Sequence, residues 1–163
     1  MKIEILDSTK KKRFLEGVSY LGDFKMRELF FRTGKETVRI YSGSLSNDEI
    51  LKIWQTFPIE GIGLYFGKEF IDKHGKKESR LSLDALHLLK DNIKKNILVL
   101  NSEQEKLWFL GKDLELNEEQ KNLFKGEFVA VSNGKDFIGT GKISQDGILK
   151  SFLPKERRIR VFQ

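Results

Sequence analysis

Three closely spaced glycines are the first residues whose spacing suggests chemistry. They lie in "IEGIGLYFGKEF" (residues 59–70) as Gly61, Gly63 and Gly67. A dinucleotide-binding loop needs G-x-G-x-x-G between a strand and a helix, whereas the last gap here is longer and a hairpin follows. A Walker loop needs Ser or Thr after its lysine, whereas this chain has Glu69, whose carboxylate would repel a phosphate. We therefore predict that the glycines serve a strand and a turn.

The remaining reactive side chains do not form a recognisable catalytic group. The two histidines, His74 and His87, have no second ligand at metal-binding spacing. The chain has no cysteine, which excludes thiolate metal sites and the nucleophile that methylation at carbon five of RNA cytosine requires. Asp84 lies where a helix N-cap belongs. These residues therefore offer no candidate catalytic residue and no metal or cofactor site, and they count against an enzyme.

Positive charge is concentrated at the C-terminal end of the sequence. The net charge is +6. Residues 1–94 carry 18 Lys and Arg against 14 Asp and Glu, and residues 95–149 carry 7 against 9. Residues 150–163 carry 5 against 1. Such a patch indicates an anionic partner.

The basic segment "RRIRVF" after Pro154 is predicted to be a terminal strand. Alternation along a strand would turn Ile159 and Val161 inward and place Arg158 and Arg160 together on the outer face. Cations on one face suit a phosphate backbone, but a solvated edge strand that resists aggregation is equally consistent with the charge alone. Two nearby aromatic residues are assigned to the core rather than to stacking platforms: Phe152 and Phe162.

Helices alternate with antiparallel hairpins over residues 1–93. Asp7 or Ser8 begins a helix that extends to about Tyr20. The other predicted features are hairpins around Gly34-Lys35 and His74-Gly75, a capping box at Ser46–Glu49, a strand from Ile62 to Phe66, and a helix over "LDALHLLKDNIKKN".

Short strands dominate residues 94–163, with short helices between them, which predicts a small barrel. The strand "NILVLN" precedes a helix that starts with a capping box at Ser102–Glu105 and ends at Gly111 in the left-handed conformation. The remaining predicted features are a helix start at Asn117, a type I′ turn at Asn133-Gly134 and a turn at Asp146-Gly147. The fold class is therefore α+β, with domains at 1–93 and 94–163.

The N-terminal sequence lacks the apolar run of a signal peptide, and the chain has no stretch of 18 consecutive apolar residues. We expect a cytoplasmic protein, or a nuclear or nucleolar one in a eukaryote, without a membrane partner.

The second half resembles a PUA domain, the small RNA-binding pseudo-barrel found in many RNA-modifying proteins. The segments that carry the resemblance are "NILVLNSEQEKLWFLGKDL" and "GEFVAVSNGKDFIGTGKI". They match a strand, a short helix ending near a glycine, and a "G-E/D-x-V-x-V" strand that turns into an "IGTG" strand.

The first half extends this resemblance to the ribosome-biogenesis family named nuclear import protein seven. In that family a "GKF" hairpin leads into an "RLHVTAL" strand and helix before the PUA domain. Here "FGKEFIDKHGKKESRLSLDALHLL" occupies those places. Over residues 1–58 only element order agrees. The sequence does not show the C-terminal extension of longer eukaryotic members, so we expect an archaeal-type member.

The resemblance implies a non-catalytic RNA-binding adaptor that acts in large-subunit pre-rRNA processing or assembly. It implies a preference for uridine-rich single strands and protein contacts through the N-terminal domain with ribosome-assembly or RNA-processing proteins. RNA contacts would involve a late basic cluster and backbone amides near the end of the first PUA helix. The residues implied are Lys150, Lys155, Arg157, Arg158, Arg160 and Gly111.

Two other functional hypotheses stay open at this point. The chain could be an accessory subunit or RNA-guiding module of an RNA-modification enzyme, since PUA domains often accompany such enzymes. Alternatively, it could be a protein-interaction module whose basic tail only keeps it in solution.

Overall fold

The computed structural model describes residues 2–124 and 128–160, which form two compact units. The N-terminal unit comprises Met1–Ser19 and Asp23–Ala85. The C-terminal unit comprises Tyr20–Gly22 and Leu86–Gln163. The predicted α+β fold class is confirmed in both.

A five-stranded antiparallel sheet forms the N-terminal unit, with the strands in sequence order. The strands are β1 (Ile3–Ile5), β2 (Leu29–Thr33), β3 (Thr37–Tyr41), β4 (Leu64–Ile71) and β5 (Lys77–Leu81). The helices are α1 (Ser8–Gly17), α2 (Asn47–Thr56) and α3 (Leu83–Leu88), the last of which continues into the C-terminal unit. The predicted hairpins around Gly34 and Gly75 are confirmed, and both glycines have positive φ.

The first two helices begin at the caps that the sequence predicts. The Asp7 side chain accepts from the amide of Lys10 at 2.8 Å, and Ser46 forms a capping box with Glu49. Phe14 on α1 is fully buried, and its ring packs on the aromatic rings of the sheet. Local capping therefore starts the helices, and aromatic burial fixes α1 on the sheet.

A second five-stranded sheet forms the C-terminal unit, in the order β6-β8-β9-β10-β7, and curls into a half-barrel. Strand β6 pairs parallel with β8, whereas the other described pairs are antiparallel. The strands are β6 (Ile97–Val99), β7 (Leu114–Glu115), β8 (Phe128–Ser132), β9 (Phe137–Ile143) and β10 (Ile148–Ser151). The helices are α4 (Ser102–Phe109) and α5 (Glu118–Leu123), with 3₁₀ turns at Lys90–Asn92 and Lys155–Arg157.

Helix α4 packs its single tryptophan into the core of this half-barrel. Trp108 is fully buried, and its Nε1 donates to the Ile138 carbonyl at 2.9 Å. A Cβ on Gly139 would lie 2.6 Å from the Trp108 ring, so the glycine makes room for the indole. Because α4 is anchored in this way, the loop that follows it has a fixed position.

The predicted third helix and its cap differ from the observed ones. The α-helical part ends at Leu88 and a 3₁₀ turn follows, because Asp91 and Asn92 favour local hydrogen bonding over continued helix. Asp84 lies inside the first turn, and Ser82 Oγ accepts from the Ala85 amide at 3.1 Å. The predicted Asp84 cap is therefore wrong, and Ser82 takes that role.

Two local predictions in the second half differ from the structure: the α4 capping box lies one residue earlier, and the β8–β9 turn is of another type. The α4 capping box uses Asn101 and Gln104 rather than Ser102 and Glu105, because Asn101 has the extended backbone that a cap requires. The predicted type I′ turn is a four-residue loop in which the Asn133 side chain accepts from the amides of residues 135 and 136. Such an Asx turn satisfies the loop amides without positive φ at Asn133.

Within residues 2–124 and 128–160, no helix is both long and apolar enough to cross a membrane.

Candidate nucleic-acid interface

The loop between α4 and β7, residues 110–113, contains Gly111, a glycine that the sequence singled out. Gly111 has φ +73°, which confirms the left-handed end predicted for the helix. Its amide donates to the Trp108 carbonyl at 2.8 Å, and the Lys112 amide donates to the Leu107 carbonyl at 3.1 Å. These are the two bonds of a Schellman motif. The amides of Gly111 and Lys112 therefore serve the helix end, and the use of amides near Gly111 as RNA donors stays a prediction.

Gly111 has a second role, because Arg158 lies directly on it. A Cβ at position 111 would be 2.5 Å from Arg158 Cδ and 2.6 Å from its Nε. The Nε of Arg158 also donates to the Leu153 carbonyl at 3.0 Å. The structure thus brings two of the implied RNA-binding residues together, and it fixes the direction of the Arg158 side chain.

Lys150 reaches the same loop through a carboxylate that sequence analysis missed. Its Nζ lies 2.7 Å from Asp113 Oδ2, and the Ser151 amide donates to Asp113 Oδ1 at 3.3 Å. The hydrogen bond from Lys150 lowers the pKa of Asp113 below its ordinary value, and the Ser151 amide adds to this. Asp113 and Lys150 are 37 residues apart in the sequence, so no local sequence signal indicates that they pair.

The segment after β10, residues 152–160, is called the tail here. It does not continue as the predicted strand over its described part: Pro154 caps a 3₁₀ turn at Lys155–Arg157. The Ile159 amide donates to the Phe109 carbonyl of α4 at 2.8 Å instead of to a neighbouring strand. The Ile159 side chain is 60% exposed, so its predicted inward orientation is wrong. The predictions for Val161 and Phe162 lie outside the described residues.

The other three implied cations are exposed on the tail. They are Lys155, Arg157 and Arg160. Arg158 and Ile159 connect the tail to Gly111 and to the end of α4. The three exposed cations lie within three residues of these two contacts in the sequence. Within the described residues, the implied set therefore forms a loop-proximal group, Lys150 and Arg158, and an exposed group on the tail.

Several cations of the N-terminal unit are paired with carboxylates of the same unit. Arg32 contacts Glu4 at 3.2 Å and Glu69 at 2.8 Å, and Lys77 contacts Glu69 at 2.6 Å. Lys10 also forms an ion pair with Glu4. Glu69 is 7% exposed, so these cations neutralise a buried charge. This network has a structural role, in contrast to the exposed cations of the tail.

The glycines of the opening motif have packing and backbone roles. Gly63 has φ +71°, and a Cβ on Gly67 would lie 2.3 Å from the Arg80 carbonyl oxygen. Arg39 donates to the carbonyls of Ile62 at 2.9 Å and Gly63 at 2.6 Å. A loop that presents carbonyl oxygens to a guanidinium does not cradle a phosphate, in agreement with the predicted strand and turn.

The histidines lie apart from any metal-binding cluster in the described part of the chain. His87 Nε2 lies 2.7 Å from the Phe137 carbonyl, and His74 occupies the exposed β4–β5 turn. Among residues 2–124 and 128–160, no group of three or more His, Asp or Glu side chains could hold a metal ion.

Comparison with protein families matches the C-terminal unit. The family model described as "Methyltransferase RsmF PUA domain" matches residues 95–159. A PUA-type domain therefore occupies this segment, which extends from β6 to Ile159 of the tail. It contains Gly111, Asp113, Lys150 and Arg158. No curated protein matches the chain significantly.

Proposed function

We propose that the chain is a non-catalytic adaptor that binds single-stranded or structured RNA through its PUA-type domain. The observation that carries this proposal is the convergence of Lys150 and Arg158 on the α4–β7 loop, beside an exposed basic tail. A guanidinium held in one direction can contact a phosphate with two hydrogen bonds. Exposed cations add affinity by counterion release.

RNA contacts of this kind supply affinity more than sequence preference. Lys155 and Arg160 are exposed and suit phosphate groups, whereas Arg158 is half-buried and fixed by Leu153. Phosphate contacts position a strand, and base contacts specify it. We therefore expect the tail to contribute about equally to the binding free energy of uridine-rich and adenosine-rich strands.

We further propose that the chain acts in ribosome biogenesis, in large-subunit pre-rRNA processing or assembly. Its support is the resemblance of residues 66–89 to the segment that precedes the PUA domain in the nuclear import protein seven family. Most of the β4–β5 hairpin and all of α3 lie within these residues. In this proposal the N-terminal unit contacts ribosome-assembly or RNA-processing proteins, and the chain is an archaeal-type member.

A double charge reversal on the tail tests RNA binding through this surface. Lys155→Glu/Arg160→Glu changes two exposed cations and leaves the Arg158–Leu153 contact in place. We expect weaker binding to all single strands, and a salt dependence reduced by about 1.4 in the slope of log K against log salt, since each single-strand phosphate contact contributes about 0.7. Fluorescence anisotropy of labelled strands at several salt concentrations measures both.

Lys35→Glu/Lys52→Glu is the matched control, because it makes the same charge change at exposed positions of the N-terminal unit. The control should keep most of the wild-type affinity. Equal losses in the two double variants would mean that net charge, and not the tail, controls binding.

A second candidate function is an RNA-guiding module of an RNA-modification enzyme. The observation that favours it is the description of the matching family, whose PUA domain is that of the methyltransferase RsmF. This alternative predicts that a separate catalytic subunit co-purifies with the chain and modifies RNA faster when the chain is present. Calorimetry with S-adenosylmethionine tests the chain itself: heat of binding to the purified chain would overturn its non-catalytic assignment.

A further inference from the structure

Aromatic and basic side chains share one face of the C-terminal sheet. Phe128 on β8 lies directly opposite Lys142 on β9, and Lys142 lies directly opposite Lys150 on β10. Residues opposite each other in adjacent strands project from the same face. Phe152 is two residues beyond Lys150, so strand alternation places it on that face too. These four residues are called the aromatic surface here.

The rings of the aromatic surface are held by direct contacts. Phe128 and Phe152 have centroids 5.8 Å apart, and Lys142 Nζ lies 4.8 Å from the Phe128 centroid. Tyr20, which belongs to the same unit, stacks on Phe128 at 6.3 Å. The Phe128 ring is therefore enclosed by a cation and two aromatic rings, and it forms a rigid support beneath Phe152.

Phe152 is the ring of this surface that remains open to solvent. It is 37% exposed, whereas Phe128 is 5% exposed. The next residue, Leu153, is 1% exposed and belongs to the hydrophobic core of the half-barrel. The assignment of Phe152 to the core is therefore wrong, because the chain turns Leu153 inward and Phe152 to the opposite side.

Lys150 connects the aromatic surface to the α4–β7 loop. Its backbone lies on β10 beside Lys142, and its Nζ contacts Asp113 of the loop. A single RNA strand that contacts Arg158 at the loop can thus pass Lys150 and reach Phe152 while it stays on the C-terminal unit. Single-stranded nucleic acid alternates charged phosphates with flat bases. Ammonium groups can contact the phosphates while an exposed ring stacks on a base, so this surface fits a nucleic-acid strand better than an uncharged partner.

We propose that Phe152 is a stacking platform for a base of single-stranded RNA, with Lys142 and Lys150 beside the adjacent phosphates. This inference rests on the proposed RNA-binding function and adds the ligand element that the aromatic surface recognises. Every base has a π-face, so the platform accepts any base and requires an unpaired strand.

The test compares Phe152→Leu with the wild-type chain on two RNA strands of equal length, one of uridines and one of abasic riboses. Leucine keeps an apolar contact for Phe128 but has no π-face. The wild type should bind the uridine strand about 5- to 150-fold more tightly than the abasic strand, the range expected for stacking of one base. Phe152→Leu should lose that ratio while keeping the wild-type salt slope, because no ionic contact changes.

Phe57→Leu is the matched control, since Phe57 is 58% exposed on the N-terminal unit. It should keep the wild-type ratio. A strand with one 2-aminopurine gives a second readout with the wild type, since stacking on Phe152 should quench its fluorescence, and Phe152→Leu should restore it. Thermal unfolding followed by circular dichroism verifies that each variant is folded.

The outcomes that would overturn the inference are distinguishable from failure of the proposed function. If the wild type binds both strands equally, or if Phe152→Leu keeps the wild-type ratio, RNA binding stands and stacking on Phe152 fails. If the wild type binds neither strand at low salt, the proposed function fails together with the platform.

Discussion

Asp113 forms an ion pair with the ammonium group of Lys150 and therefore competes with RNA phosphates for this cation. The contact is 2.7 Å long, and both side chains are about half exposed. Exposed ion pairs of this kind contribute little to stability, about 0–1 kcal/mol. We therefore infer that Asp113 affects RNA binding more than folding.

The variant Asp113→Asn should bind single-stranded RNA more tightly than the wild type. Removal of the carboxylate charge leaves Lys150 able to contact a phosphate, so the salt slope should become steeper by up to about 0.7. Anisotropy titrations at three or more salt concentrations measure the slope. An unchanged slope and affinity would show that Lys150 does not face the strand.

The same pair predicts a pH dependence of a definite sign. Because the pKa of Asp113 is lowered in the folded chain, its contribution to stability is present above 3.8, the ordinary value, and is lost as the pH falls through the lowered value. The small stability difference between wild type and Asp113→Asn should therefore disappear in acid below that range. Thermal unfolding at pH 7 and in steps below pH 4 measures it, and a difference that grows in acid would contradict the assignment.

At the scale of elements, the end of α4 and the tail form one structural unit. The Schellman motif places Gly111 under Arg158, and the Ile159 amide donates to Phe109 at the helix end. The sequence was sufficient to predict the helix and its terminal glycine, since both depend on local capping. It could not predict the tail, because the Ile159 amide bonds to Phe109 and Arg158 lies on Gly111, and both of these partners are far away in the sequence.

The variant Gly111→Ala should be destabilised by about 1–2 kcal/mol from the left-handed backbone alone. A further loss is expected because the new Cβ would displace Arg158, which lies 2.5 Å away at Cδ. RNA affinity should fall as well, since Arg158 loses its fixed direction. Urea unfolding and anisotropy measure the two effects.

Gly134→Ala is the matched control for this prediction. Gly134 lies in the same unit with φ +92°, and a Cβ there would have nothing within 4 Å. Gly134→Ala should lose a similar amount of unfolding free energy through its backbone and should leave RNA affinity unchanged. If both variants bind RNA alike, the contact between Gly111 and Arg158 has no part in recognition.

At the scale of the whole molecule, sequence patterns were sufficient to predict the α+β class and the PUA-type domain. The pattern from "NILVLN" to "IGTG" depends on neighbouring residues, and the family match covers residues 95–159. The composition of the compact units was less accessible, because Tyr20–Gly22 belongs with residues that lie far along the chain. Tyr20 stacks on Phe128, a contact that no local pattern encodes.

The candidate site was predictable in its charge and not in its geometry. Counting charges identified Lys150 and the tail, since residues 150–163 carry 5 Lys and Arg against 1 Asp and Glu. Counting could not separate Lys150, which is paired with Asp113, from Lys155, which makes no ion pair among the described residues. Nor could it identify Phe152 as exposed, because charge counting does not show which of two adjacent apolar residues, Phe152 or Leu153, faces the core.

RNA binding by this chain can be measured with salt-dependent fluorescence anisotropy. A labelled uridine-rich single strand is titrated with the wild-type chain from low to physiological salt. We expect saturable binding whose log K falls linearly with log salt, with the slope reduced in Lys155→Glu/Arg160→Glu. Absence of saturable binding at low salt would contradict this expectation and favour a protein partner for the chain.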